Sequence, residues 1–315
     1  MPLRGVMIIG LTTRWNAREH TEGERMIEEI LALGFDHVEL GYDLRLDLVP
    51  GVMRMVEQKA VRVWSVHNFC PVPVGAPKGH PELFSLSDRD PRERERAVQH
   101  TERTIRFAGE VGARVVVAHA GNVDMTKYSR ELLALCAEGR LGTPAYEKTK
   151  LKLQITREKK AGPHLEGLRE SVKRLLPALE AAGVALALEN LPTWEAVPTE
   201  VEMERLCREI DSPHLRYWHD IGHGHIRAML GFINPERWLE RLSPWLAGMH
   251  IHDVRPPALD HAMPPGGLVD FTRFRDRMKS DMVRILEPGP GAPADTVRGA
   301  LAYLRGVWEG PGTAT

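Results

Sequence analysis

Six ionisable side chains each close a short apolar run, in order along the chain: His67 in SVHN, His119 in VVVAHAG, Glu189 in VALALENLP, Asp220 in HDIGHGH, His250 in GMHIHDV and Glu287 in VRILEPGPG. One polar residue after an apolar run is ordinary loop chemistry. Six in succession call for a shared role. Carboxylates gathered in a dry pocket repel one another. A divalent cation relieves that repulsion, and imidazole nitrogens with carboxylate oxygens form a ligand set that suits it. A metal-free acid–base pocket is the alternative use of the same groups.

Further residues extend this set. His223 follows Asp220 by three residues and is expected to fold back over the same centre. Asp260 and His261 follow the seventh run as candidates for a second metal, although adjacent side chains rarely both point inward. His252 shares the strand parity of His250, so it either faces the pocket or caps the strand. His219 has the opposite parity to Asp220 and is expected to pack toward a helix, and His225 is left open. His20, His37, His80, His100, His164 and His214 are expected on surfaces or in helices. Glu39 closes the run HVEL and is a candidate substrate contact, while Trp15 and Asn16 are placed to line a wall.

The elements that must position these groups are eight short apolar runs: Gly5–Leu11, His37–Leu40, Val61–His67, Arg114–His119, Val184–Glu189, Leu215–Asp220, Leu246–His252 and Met282–Glu287. Continuous apolar runs mark parallel strands covered on both faces. Amphipathic segments between them carry helix signals: capping-box pairs at Thr21/Glu24, Asp90/Glu93 and Thr199/Glu202, Pro91 and Pro235 at first turns, and Gly34, Gly112 and Gly183 after helix ends. Eight alternating units predict a single-domain (β/α)8 TIM barrel over residues 1–309, with a short tail, Gly310–Thr315, expected to be disordered. An open doubly wound sheet is the other option, but no G-x-G-x-x-G follows the first run. One segment interrupts the rhythm: an insertion at about 121–163 after strand 4, on the face where a barrel keeps its active site. Its lysines, including Lys148, Lys150 and Lys152, read either as a lid or arm toward an anionic substrate or second subunit, or as a helical excursion.

The 315 residues are 43% hydrophobic and 27% charged with a formal net charge of -1, which argues against a nucleic-acid coat. Cys70, Cys136 and Cys207 are far apart and form no CxxC pair, as for reduced thiols in a cytoplasmic protein. No run of 18 apolar residues suggests a membrane span, and the N-terminus lacks a secretory signal pattern. A homo-oligomer is open, with the insertion and the loop at 256–267 as candidate interfaces.

The ordered motifs ALEN, DIGH, HIHDV and LEPG resemble those of the xylose isomerase-like TIM-barrel superfamily, and the resemblance runs from the first strand to Glu287. That superfamily holds sugar and sugar-phosphate isomerases and epimerases, hydroxypyruvate isomerase-type enzymes, inosose dehydratases and endonuclease IV-type AP endonucleases. The isomerase branch implies one divalent metal (Mn2+, Mg2+, Co2+ or Zn2+) on Glu189, Asp220, His250 and Glu287. It implies Glu189 and Glu287 as the acid–base pair acting through an enediolate, with His67, His119, His223 and Glu39 at a small sugar-like substrate. The endonuclease branch implies further zinc on His67, His119, His223, Asp260 and His261, acting on abasic DNA. Here Asp260 and His261 are adjacent, where that branch spaces its pair by one residue. A dehydratase or lyase on the same metal is a third expectation.

Overall fold

The computed structural model describes residues 7–277 and 282–309; the expected tail at 310–315 lies outside them. Eight parallel strands close a barrel: β1 (Gly10–Thr12), β2 (His37–Leu40), β3 (Arg62–His67), β4 (Val115–Ala118), β5 (Ala185–Glu189), β6 (Leu215–Asp220), β7 (Leu246–Ile251) and β10 (Val283–Leu286). Their order around the wall is β1-β10-β7-β6-β5-β4-β3-β2, so the chain's first strand pairs with its last, Gly10 beside Ile285. The fold is a (β/α)8 TIM barrel, not an open sheet. Two short strands, β8 (Asp253–Arg255) and β9 (Leu259–Ala262), form an antiparallel hairpin above β7.

The first strand begins later than the expected Gly5–Leu11, whose first two residues lie outside the described range. Ile8 is 37% exposed and does not belong to the barrel wall. Helices α1 (Gly23–Ala32), α2 (Val49–Glu57), α3 (Pro91–Glu110), α6 (Glu200–Ile210), α7 (Ile221–Met229), α8 (Pro235–Leu242) and α9 (Ala294–Glu309) surround the strands. The Thr21/Glu24 box does not form: α1 is capped at Glu22 without a side-chain bond. Packing sets that helix start instead, since a Cβ on Gly23 would lie 2.0 Å from the Leu48 carbonyl. Asp90 caps α3 through the Arg92 N–H, but Glu93 turns to Arg96, leaving half a box. Thr199 and Glu202 form the full reciprocal box.

The segment 121–163 folds as helix α4 (Tyr128–Ala137) and the first half of α5 (Pro144–Ala182), 39 residues long. Thr143 caps α5, and the helix runs through Pro163 and Pro177 until Gly183 takes up φ 65°, a left-handed turn that glycine adopts without a Cβ penalty. This arm is packed. Leu132, Leu135, Tyr146 and Leu153 join Ile226, Leu230 and Val254 in a cluster of their own. Its cations are largely engaged within the fold: Lys150 with the Gly231 carbonyl, Lys160 with the Asp124 carbonyl and Arg157 with Glu202. Among the described residues no helix is long and apolar enough to cross a membrane.

Strand alternation fixes which side chains point into the barrel. Val115, Val117, Ala187, Trp218, Val283 and Ile285 make the inner cluster, whereas Val116, Leu186, Leu188, Met249 and Leu286 pack outward against the helices. Gly248 leaves room for the indole, because a Cβ there would sit 2.3 Å from Trp218. Two residues beyond Ala187, Trp218 and Ile285, the same inward parity presents Glu189, Asp220 and Glu287 at the C-terminal mouth.

Candidate metal centre

Glu189, Asp220, His250 and Glu287 each direct one donor atom into a space where these atoms lie within 4.8 Å of one another. All four are buried. His250 Nδ1 lies 3.1 Å from Glu189 Oε1 and 3.3 Å from Glu287 Oε2, so the two glutamates flank the imidazole. His67 Nε2 and His119 Nε2 reach the other side of Glu189, 3.4 and 3.3 Å from Oε2, and these three form a second ligand group. Glu189 therefore belongs to both groups. His223, His252 and His261 form a third.

Local hydrogen bonds explain the positions. The Asp220 carboxylate caps α7 by accepting the His223 N–H at 2.7 Å, which swings the His223 ring back over the strand ends. His223 Nδ1 lies 3.0 Å from the Asn190 carbonyl, leaving Nε2 for the cavity. Asn190 also braces Asp220, accepting its backbone N–H at 2.8 Å and donating to its carbonyl at 3.0 Å. His261 adopts φ 54°, a left-handed conformation rare outside glycine and found where a site holds a side chain in place. Its backbone N–H donates to His252 Nδ1 at 2.9 Å, which puts the His252 proton on Nε2, 2.9 Å from the Asp220 carboxylate. Asp260 pairs with His261 at 3.3 Å and stands 3.8 Å from His223, outside the three-histidine group.

The charges are strongly coupled. Burial would raise the Glu189 pKa, but His250, His119 and His223 hold it well below the carboxylate range. Glu287 is held down likewise, against burial, by His250, His261 and Arg14. Burial opposes a charge on His250, yet Glu287, Glu39 and Glu189 raise its pKa well above that of a free imidazole. Burial also opposes a charge on His261, but Glu287 and Asp260 push it up to about 10. His119 moves the other way, lowered by burial. Three carboxylates, those of Glu189, Asp220 and Glu287, are thus held below their ordinary range by the cationic side chains packed around them. Glu189 Oε2 is buried and accepts no well-aligned hydrogen bond; it faces the His67 and His119 rings, and a cation shared with them would satisfy it. The donor set fits a first-row divalent ion or magnesium.

Several residues differ from their sequence-based places. Glu39 does not line the cavity: it is fully buried behind His250, contacting Nε2 at 3.1 Å and accepting the Ser65 hydroxyl at 2.8 Å. Trp15 and Asn16 also lie off the cavity, bonded to the Ala292 and Met26 carbonyls. His219, as its parity implied, packs outward against the Tyr217 hydroxyl and α7, and burial lowers its pKa to about 4. Of the histidines assigned to surfaces or helices, His164 does lie in α5 and His80 is exposed at the rim of the cavity, but His37 is buried in β2. Arg14 carried no signal beyond following β1, yet its Nη1 donates to Glu287 Oε1 at 2.7 Å and its guanidinium lies over Tyr42. The cavity above the centre holds about 530 Å³; it reaches from Glu189, His223 and Glu287 past Tyr42 to Lys127 and Arg130 at the start of α4.

No curated protein matches the sequence. Solved structures that share the fold include a D-tagatose 3-epimerase-like protein (18% identity, 96% of this chain and 98% of that one, TM-score 0.69). The 3-keto-D-glucoside 4-epimerase YcjR from E. coli follows at 18% identity, covering 95% and 99% of the two chains with a TM-score of 0.67. The IOLI protein, solved with a bound zinc atom, shares 12% identity over 96% and 99% of the chains at a TM-score of 0.63. A family model described as xylose isomerase-like TIM barrel matches residues 27–306, and so the chain belongs to the xylose isomerase-like TIM barrel family.

Proposed function

We propose that this protein is a divalent-metal-dependent isomerase or epimerase of a small sugar-like hydroxy-carbonyl compound. The observation that carries the reading is the buried quartet Glu189, Asp220, His250 and Glu287 at the base of a cavity of about 530 Å³, with its two glutamates flanking one imidazole. The sugar epimerases among proteins of the same fold agree with it. A divalent cation held by the quartet supplies Lewis-acid polarisation of a carbonyl oxygen.

The rest of the chemistry falls to the chain. Glu189 and Glu287 are both ionised and can each accept a proton. One takes the proton from the carbon next to the carbonyl. The other returns a proton to the neighbouring carbon for isomerisation, or to the opposite face of the same carbon for epimerisation. Arg14 holds Glu287 Oε1, leaving Oε2 to face the reacting centre. His223 Nε2 holds a substrate hydroxyl, and His67 and His119 border the same space. Glu39 fixes the His250 ring so that Nδ1 meets the carboxylates, the arrangement that orients metal-bound histidines. Glu39→Gln is expected to weaken divalent-metal binding by about 10- to 100-fold, measured by competition with a chromophoric chelator; unchanged affinity would remove Glu39 from this role.

The test is solvent-deuterium incorporation into a panel of ketoses and keto sugar acids with Mn2+, Co2+, Mg2+ or Zn2+ added. Metal-dependent incorporation into a panel member supports the reading. A second reading, a multi-zinc phosphodiesterase on abasic DNA, is favoured by the two further ligand groups. Against it, the His252 proton points at Asp220, and much of the basic arm is engaged inside the fold. Two or three zinc ions per chain and cleavage of an abasic duplex would support it over the isomerase.

A further inference from the structure

We propose that Lys127 and Arg130 form the seat for an anionic group, a phosphate or a carboxylate, at the end of the substrate remote from its reacting carbonyl. This rests on the cavity above the quartet being the substrate chamber, as argued above. Both residues line that cavity together with Glu189, His223 and Glu287. They stand one helical turn apart, with the Arg130 N–H 3.2 Å from the Lys127 carbonyl, which brings their side chains to one face. Among the described residues neither forms an ion pair with a carboxylate. The other arginine of the cavity differs: Arg14 is held by Glu287. Within the arm itself, Lys150, Arg157 and Lys160 bond to protein atoms and Lys152 lies over the Tyr128 ring.

The pair stands on a built support. Ser129, between the two cations, is fully buried; its backbone N–H donates to Glu195 Oε1 at 2.9 Å and its hydroxyl accepts the Trp194 N–H at 3.0 Å. The Val123 N–H bonds the Glu195 carbonyl at 2.8 Å. The first turn of α4 is thereby fastened to the segment after β5, whose Leu191, Pro192 and Thr193 line the same cavity. Fixing the backbone while leaving two long cations open to the chamber suits recognition of a charged group, with the arginine fork offering two parallel donors and the lysine a point charge. The site lies on the strand-following segment after β4, the face on which a barrel varies its substrate.

Calorimetric titration of the full chain with inorganic phosphate and, separately, with acetate tests the seat, both with Mn2+ present and after chelation. The double variant Lys127→Ala/Arg130→Ala is expected to weaken binding of the preferred anion by at least about 10-fold, the loss of a charge-assisted hydrogen bond. Lys127→Arg, which keeps the charge and leaves the Arg130 fork in place, should hold it within roughly 3-fold. Tighter phosphate binding assigns a phosphorylated substrate, and tighter acetate binding a sugar acid. Anion binding that ignores the alanine pair, or its absence from the wild type, overturns the proposal. Binding lost on chelation but insensitive to the alanine pair places the anion on the metal: the seat then fails while the metal reading stands. Binding that survives chelation but falls in the double variant, in a chain that takes up no metal, keeps the seat and sinks the metal reading.

Discussion

Glu189→Gln is expected to lower turnover of the ketose or sugar acid found by deuterium exchange by about 10²- to 10⁴-fold, the scale of a lost general acid or base. The loss has two origins. Glutamine cannot take a proton from carbon, and it offers a neutral amide where two ligand groups share one carboxylate. Glu287→Gln should fall on the same scale, but should disturb one ligand group, the quartet, together with the contacts to Arg14 and His261. Deuterium-exchange rates measured beside metal content separate the two causes: a variant that keeps its metal yet loses exchange has lost a base. If either variant keeps turnover within about tenfold, the acid–base assignment is wrong.

Chelation is expected to lower the melting temperature, because a cation that binds the folded chain and not the unfolded one stabilises it by mass action. At a free metal concentration about a thousand times Kd this amounts to about 4 kcal/mol. For a domain of this size that is a fall on the order of 5–10 °C. Calorimetry with EDTA, followed by added Mn2+, should show the fall and its reversal. A melting curve that moves in neither step would mean that His250 and Arg14 neutralise the carboxylates on their own, and the centre would then be an ion-pair network.

The barrel was legible because most strands are mainly apolar and are closed at or just after their ends by a polar residue, and their alternation carries Glu189, Asp220, His250 and Glu287 to one end whatever the loops do. His67 and His119 were readable on the same ground, and His223 from its place three residues after Asp220. What sequence missed depends on contacts between distant segments. Arg14 matters only because β1 pairs with β10, a neighbourhood no local pattern reveals. His252 shares His250's parity, but its part was decided by the hairpin that turns His261 above it. Glu39 was read as a cavity contact because strand ends usually are; instead His250 comes between it and the open space. The start of α1 followed the approach of α2 rather than the nearest capping residue, for a carbonyl against a glycine overrides a side-chain cap.

Closure of the wall has a kinetic consequence. The quartet draws its donors from four strands, and the bond from Arg14 to Glu287 spans 273 positions of sequence. The four donors themselves lie between positions 189 and 287, but the arginine that holds Glu287 comes from the other end of the chain. Contacts of such sequence separation form late, after long loops have closed. Metal uptake during refolding would therefore lag behind helix formation and keep time with the docking of β10 onto β1, making the ion a stopwatch for the last step of folding.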